Sequence, residues 1–106
     1  MAGTFTAKLL GEGQLPAVTG AIYTVPGATT AYVRTIKFFN TNAATQTVNV
    51  YIDGSGTNRQ TYTFQLAVNE SAEIDDRITL EAADLIEADT TNATSVDYTI
   101  HGVEET

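Results

Sequence analysis

Thr47-Val48-Asn49-Val50-Tyr51-Ile52-Asp53 is the stretch on which the fold turns. Val48, Val50 and Ile52 fall on one side of an extended chain, while Asn49, Tyr51 and Asp53 fall on the other. That two-residue period marks a strand with one buried and one wet face, and a 3.6-residue helix would scatter the same residues around its circumference. Thr61-Tyr62-Thr63-Phe64-Gln65-Leu66 repeats the pattern, and so does Val96-Asp97-Tyr98-Thr99-Ile100. The apolar phase of these runs (Val48, Val50, Ile52, Tyr62, Phe64, Leu66, Tyr98 and Ile100) is the expected core face.

Outward from these runs, threonine stands beside Val, Ile, Tyr and Phe along much of the chain. Such β-branched and aromatic residues suit a pleated surface and crowd a helix. Turn chemistry separates the runs: Pro26-Gly27 ends one, Asn40-Thr41-Asn42 the next, Asp53-Gly54-Ser55-Gly56 a third, and Asn69-Glu70 another. About eight short strands follow, near residues 5–10, 20–25, 30–39, 46–53, 60–67, 72–79, 84–89 and 95–103, a spacing that points to an all-β sandwich or jelly roll. Leu80 to Ala88 holds helix formers, yet it follows a strand and lacks a cap, so it reads as a turn feeding the seventh strand. Residues 1–18 read as an N-terminal arm or edge strand and residues 19–106 as the sandwich, together one domain.

The chain has 106 residues, with thirteen acids against five bases for a formal charge of −8 and no cysteine. This size supports a core without disulfide or metal, and the missing thiols exclude disulfide frameworks, thiolate metal sites and thiol catalysis. Lys8, Arg34, Lys37, Arg59 and Arg77 are scattered, which argues against a nucleic-acid partner. Eight of the thirteen acids lie between Glu70 and Asp89, the pattern of a solvated face. No run reaches the roughly 20 apolar residues of a spanning helix, so no membrane partner is expected. The start of the chain lacks the basic and apolar regions of a signal peptide, so the protein is expected to stay where it is made or to leave as part of a particle.

No motif carries chemistry. His101 is the sole histidine, so a histidine metal cluster is excluded, and a catalytic triad would rest on a residue that falls in the wet phase beside Asp97 and Thr99. Ser55, Ser71 and Ser95 lie in no Gly-x-Ser-x-Gly elbow. Asp53-Gly54-Ser55-Gly56-Thr57 has oxygen ligands at alternate positions, but an EF-hand loop opening at Asp53 would need a glutamate where Phe64 stands, so a hairpin turn is the reading. Glu73, Asp75 and Asp76 alternate in direction along a strand and do not form a cation site on pattern alone. No catalytic residue, cofactor or metal is expected. Phe5, Leu9, Leu10 and Leu15, apolar residues around the flexible Gly11 and Gly13, are the expected partner-binding residues, with filling of their own domain's core as the plainer alternative.

Several stretches in order resemble a family of small proteins encoded among the virion genes of tailed bacteriophages. They are Leu15-Pro16, Ile22-Tyr23-Thr24-Val25-Pro26, Tyr32-Val33-Arg34-Thr35-Ile36 leading to Asn40-Thr41, and Val48-Asn49-Val50-Tyr51-Ile52-Asp53-Gly54. Leu80-Glu81-Ala82-Ala83-Asp84-Leu85-Ile86 and Val96-Asp97-Tyr98-Thr99-Ile100-His101-Gly102-Val103-Glu104 complete the set. The resemblance implies a β-sandwich module of the virion, made in the host bacterial cytoplasm. It would be a capsid decoration (cement) protein that binds the major capsid protein as a homo-oligomer, expected to be a trimer. A tail, collar, baseplate or fibre module is the alternative, and a carbohydrate-binding or adhesion domain a third class left open by the five tyrosines. The chain departs from the family at two turns, with Pro26-Gly27-Ala28 where Pro-Ala-Gly is common and Ala82-Ala83-Asp84 where Ala-Gly-Asp is common. The second departure implies a turn of a different type there.

Overall fold

Nine strands appear in a computed structural model that describes residues 3–54 and 56–106. They are β1 (Phe5–Gln14), β2 (Gly20–Thr24), β3 (Thr30–Asn40), β4 (Gln46–Asp53), β5 (Asn58–Leu66), β6 (Ser71–Ile74), β7 (Ile78–Leu80), β8 (Leu85–Thr90) and β9 (Val96–Glu105). Met1, Ala2 and Ser55 lie outside the described residues, and with them the first two positions of the expected arm and one position of the Asp53–Thr57 turn. Among the described residues there is no helix, and Glu81 to Asp84 form a turn ahead of β8, as the pattern implied.

The strands pair as one long hairpin rolled upon itself. β4 pairs β5 at the tip, β3 pairs β6 and β7, β2 pairs β8, and β1 pairs β9, all antiparallel. Rolling places β1-β9-β3-β6, with β7 also on β3, in one sheet and β2-β8-β4-β5 in the other. The β3–β9 and β4–β8 ladders close each sheet. This is a jelly roll.

The core lies between the sheets. Val48, Val50, Leu66, Tyr98 and Ile100 are buried in it, and Ile52, Tyr62 and Phe64 pack against it, so the apolar phase was read correctly. Phe38 of β3 meets Phe64 of β5 edge to face across the two sheets, with ring centroids 5.3 Å apart. Asn40, at the end of β3, is fully buried, and its side-chain amide donates to the carbonyls of Ala44, Leu66 and Ala67 at 2.9–3.1 Å. The residue read as a turn former therefore also ties the first sheet to the end of β5 in the second.

Two expectations change. The sixth strand, expected over 72–79, is two strands separated by Asp75-Asp76-Arg77. β6 pairs Ile36 to Phe39 and β7 pairs Ala31 to Val33, so the break spans the bulge that β3 makes between Val33 and Thr35. The turn at Ala82-Ala83-Asp84 keeps a left-handed residue: Ala83 has φ 73°, and Ala28 in the neighbouring turn has φ 55°. Backbone bonds between Val25 and both Ala83 and Asp84 hold the two turns against each other and fix that conformation.

Candidate assembly surface

The two outer faces of the sandwich differ in chemistry. On the second sheet, Asn49 on β4 accepts from Gln60 and Thr63 on β5 and donates to Asp89 on β8, and Thr19 donates to Asp89 at 2.6 Å. Burial alone would raise the Asp89 carboxyl, but the hydrogen bonds from Asn49, Thr19 and Tyr51 together outweigh it and hold the group below its usual range. That face is a polar ladder whose groups satisfy one another.

The outer face of the first sheet is apolar near β1. The register places Phe5 beside Glu105 and Thr30, Ala7 beside Val103 and Tyr32, and Leu9 beside His101 and Thr35. Alternation puts the buried Val96, Tyr98, Ile100 and Gly102 on the inner face of β9, so these rows share the outer one. Phe5 is 63% exposed and Leu9 49%. The Phe5 and Tyr32 rings lie 6.4 Å apart, and the Tyr32 hydroxyl donates to Glu105 at 2.8 Å.

Of the four residues expected to meet a partner, Phe5 and Leu9 present surface. Leu10 packs on the core, on the inner side where alternation from Phe5, Ala7 and Leu9 places it. Leu15 is 1% exposed, and its backbone N–H donates to Val96 and its carbonyl accepts from Thr94. It is spent on its own domain and offers nothing to a neighbour. The sequence reading passed over Tyr32 and Phe39, the latter 40% exposed. Both stand in the outer phase of β3, and the signal was an aromatic in the polar phase of a long strand.

Beneath the β1 surface lies a buried acid. Glu104, on the inner face of β9, accepts from the Tyr23 hydroxyl of β2 at 2.6 Å and from the Lys8 ammonium of β1 at 3.2 Å. The Tyr23 hydrogen bond, aided by Lys8 and opposed by burial, holds the Glu104 carboxyl below its usual range. Burial first, then the bond to Glu104 and its charge, pushes the Tyr23 phenol well above its own. The three residues clasp three strands and both sheets.

His101 makes a 2.9 Å hydrogen bond with Thr99 on the outer face. At the hairpin tip, Asp53 accepts from the Gly56 N–H at 2.9 Å, the work of a turn former rather than of a cation ligand. Among the described residues no three acidic or histidine side chains converge on a point. The arrangement offers a surface for binding.

No protein-family model and no curated sequence matches the chain. Its fold is shared with solved structures at low identity. A chain of the Bacillus endospore appendages, described as disulfide-linked pili, matches with a TM-score of 0.55 at 17% identity, over 98% of this chain and 89% of that one. A chain of the acid-stable capsid of Helicobacter pylori bacteriophage KHP30 matches with a TM-score of 0.55 at 12% identity, over 100% of this chain and 89% of that one. A chain of the T13 infectious bursal disease virus particle gives 0.52 at 10% identity, and this chain spans only 31% of it. The chain thus has a β-sandwich fold found also in pilus and capsid structures.

Proposed function

We propose that the protein is a non-enzymatic structural component of a bacteriophage virion, a capsid decoration (cement) protein that binds the major capsid protein and stabilises the head. It works as a homotrimer on the particle after synthesis in the host cytoplasm. The observation that carries this reading is the solvent-facing Phe5 and Leu9 stripe on an edge strand, beside Tyr32 and Val103. Aromatic and aliphatic side chains gathered on one exposed face are what a neighbouring protein covers. A jelly roll shared with a chain of a phage capsid structure over nearly the whole of both chains supports the setting. A formal charge of −8 fits a protein that stays off the genome. A tail, collar, baseplate or fibre position would use the same stripe, and copy number separates it from the capsid.

The experiment is quantitative staining of purified particles, followed by the Phe5→Ser/Leu9→Ser double variant. Copies in proportion to the capsid lattice are expected, and a variant that melts within a few degrees of the parent yet no longer sediments with particles. A protein that is monomeric and absent from particles, or a variant that decorates as well as the parent, overturns the proposal.

A further inference from the structure

On the side of the sandwich away from β1, β5 ends one sheet and β6 ends the other, and no ladder joins them among the described residues. Between them lies an open groove of about 540 Å³. Phe64 and Leu66 of β5 and Ala72 and Ile74 of β6 line its floor. Glu70, Glu73 and Asp75 stand on its rim, Glu70 accepting from the Ala67 N–H at 2.7 Å and Asp75 from the Thr35 hydroxyl at 3.3 Å, while Asp76 accepts from the Tyr62 hydroxyl at 2.6 Å.

A second feature lies on the same side. β5 pairs with β4 along one flank only, so alternate backbone N–H and C=O groups point away from the sheet along the other. From Tyr62 to Leu66 this edge carries no charge and no proline and alternates cleanly, which leaves it open to another strand. β1, the other long edge strand, carries Lys8, Glu12 and a bulge at Leu10 along its middle, features that discourage such pairing, whereas the Arg59 and the Thr61 bulge of β5 lie before Tyr62. An open backbone edge and an apolar trough under an acidic rim thus coincide on the β5 side alone.

We propose that this groove takes an extended segment of a partner protein, which adds as a strand along β5. Its apolar side chains would sit on Phe64 and Ala72, and its lysines or arginines would face Glu70, Glu73 and Asp75. A second copy of this chain is the poorer occupant, because pairing β5 with β5 would set two acidic rims together in a chain of net charge −8. The inference stands on the groove itself and holds whether or not the partner belongs to a phage particle.

The probe is a short, end-capped peptide of alternating lysine and valine, added to the intact protein while backbone amide shifts are followed. Shift changes are expected along β5 and β6, fading as salt is raised. Binding should weaken by about tenfold or more in Glu70→Gln/Glu73→Gln/Asp75→Asn, three exposed positions where the new amides keep an oxygen for the Ala67 N–H and the Thr35 hydroxyl, with the melting midpoint read alongside to show that the fold is kept. Ala72→Arg, which fills the trough, should abolish it. A peptide of the same composition with its lysines and valines in separate blocks should bind far more weakly. Equal binding of the block peptide, shifts on the β1 face, no binding at all, or self-association through β5 would each overturn the proposal.

Discussion

Ala28 and Ala83 show how much a single residue can depart from its surroundings. Both hold left-handed backbone, at φ 55° and 73°, where a Cβ meets the following carbonyl oxygen and costs roughly 1–2 kcal/mol. Gly27 has open space around it and lies outside the left-handed region, so the glycine of Pro26-Gly27-Ala28 sits one position before the one that needs it. Ala28→Gly and Ala83→Gly should therefore each stabilise by about 0.5–1 kcal/mol, the relief of strain exceeding the added entropy of the unfolded chain. The check is the urea midpoint at constant m-value, and a fall in both midpoints would show that the turns are not strained. The sequence could show that glycine was missing from these turns, but not that the backbone would keep its left-handed form without it. Neighbouring hydrogen bonds decide that, and they join residues far apart in the chain.

Among elements, strands were easier to read than the irregularities within them. Period-2 alternation placed the strands because each buries one face, and it identified Val50, Phe64 and Ile100 as core residues. It could not place the bulges. In β3 the buried residues are Ala31, Val33, Ile36, Phe38 and Asn40, so the phase shifts once, between Val33 and Ile36, at the bulge opposite Gly102 and His101. A one-residue shift looks like noise in a sequence and becomes a bulge only when a partner strand is laid beside it. Gly102 makes this bulge possible: a Cβ there would run into the Tyr32 carbonyl oxygen and touch the Leu10 side chain. Because the first obstacle is backbone, it cannot turn aside. Gly102→Ala should destabilise by about 2 kcal/mol or more, with the β1 and β3 amides flanking β9 losing hydrogen-exchange protection first. An unchanged melting midpoint would mean that the bulge adapts. On the partner surface the direction of the leucines was legible: Phe5, Ala7 and Leu9 share the outer phase of β1 and alternation sets Leu10 inward, whereas the bulge that puts Gly11 opposite Ile100 was not.

Over the whole molecule, the order of strands was beyond the reach of pattern, because alternation says that a strand has an inner face and not which strand lies beside it. The nested pairing joins the chain ends: Phe5 lies opposite Glu105, and Thr4 and Thr106 exchange backbone hydrogen bonds. Glu104 secures this outermost pairing through Lys8 of β1 and extends it to the other sheet through Tyr23 of β2. It continues the apolar phase Val96, Tyr98, Ile100, Gly102, so its inward direction was legible, while its partners, 96 and 81 residues away, were not.

The sign of its pH dependence follows from the carboxyl being held below its usual range in the folded state. A depressed carboxyl contributes stability that is fully present above its unfolded pKa, about 4.3, and is lost as the pH falls through that value toward the folded one. The melting midpoint should therefore drop between roughly pH 5 and pH 3. Glu104→Gln keeps an oxygen for the Tyr23 hydroxyl but cannot be protonated, so its midpoint should be lower at neutral pH and fall less steeply into acid. Asp89, also held low, contributes equally to both proteins and cancels in the comparison, since its hydrogen-bond partners share no residue with the clasp. Parallel acid limbs for parent and variant would show that the clasp does not hold the outermost pairing. Convergence of the two curves below about pH 3 would show that the ionised clasp supplies this stability, and faster amide exchange in β1 of the variant at neutral pH would place it on the edge strand bearing Phe5 and Leu9.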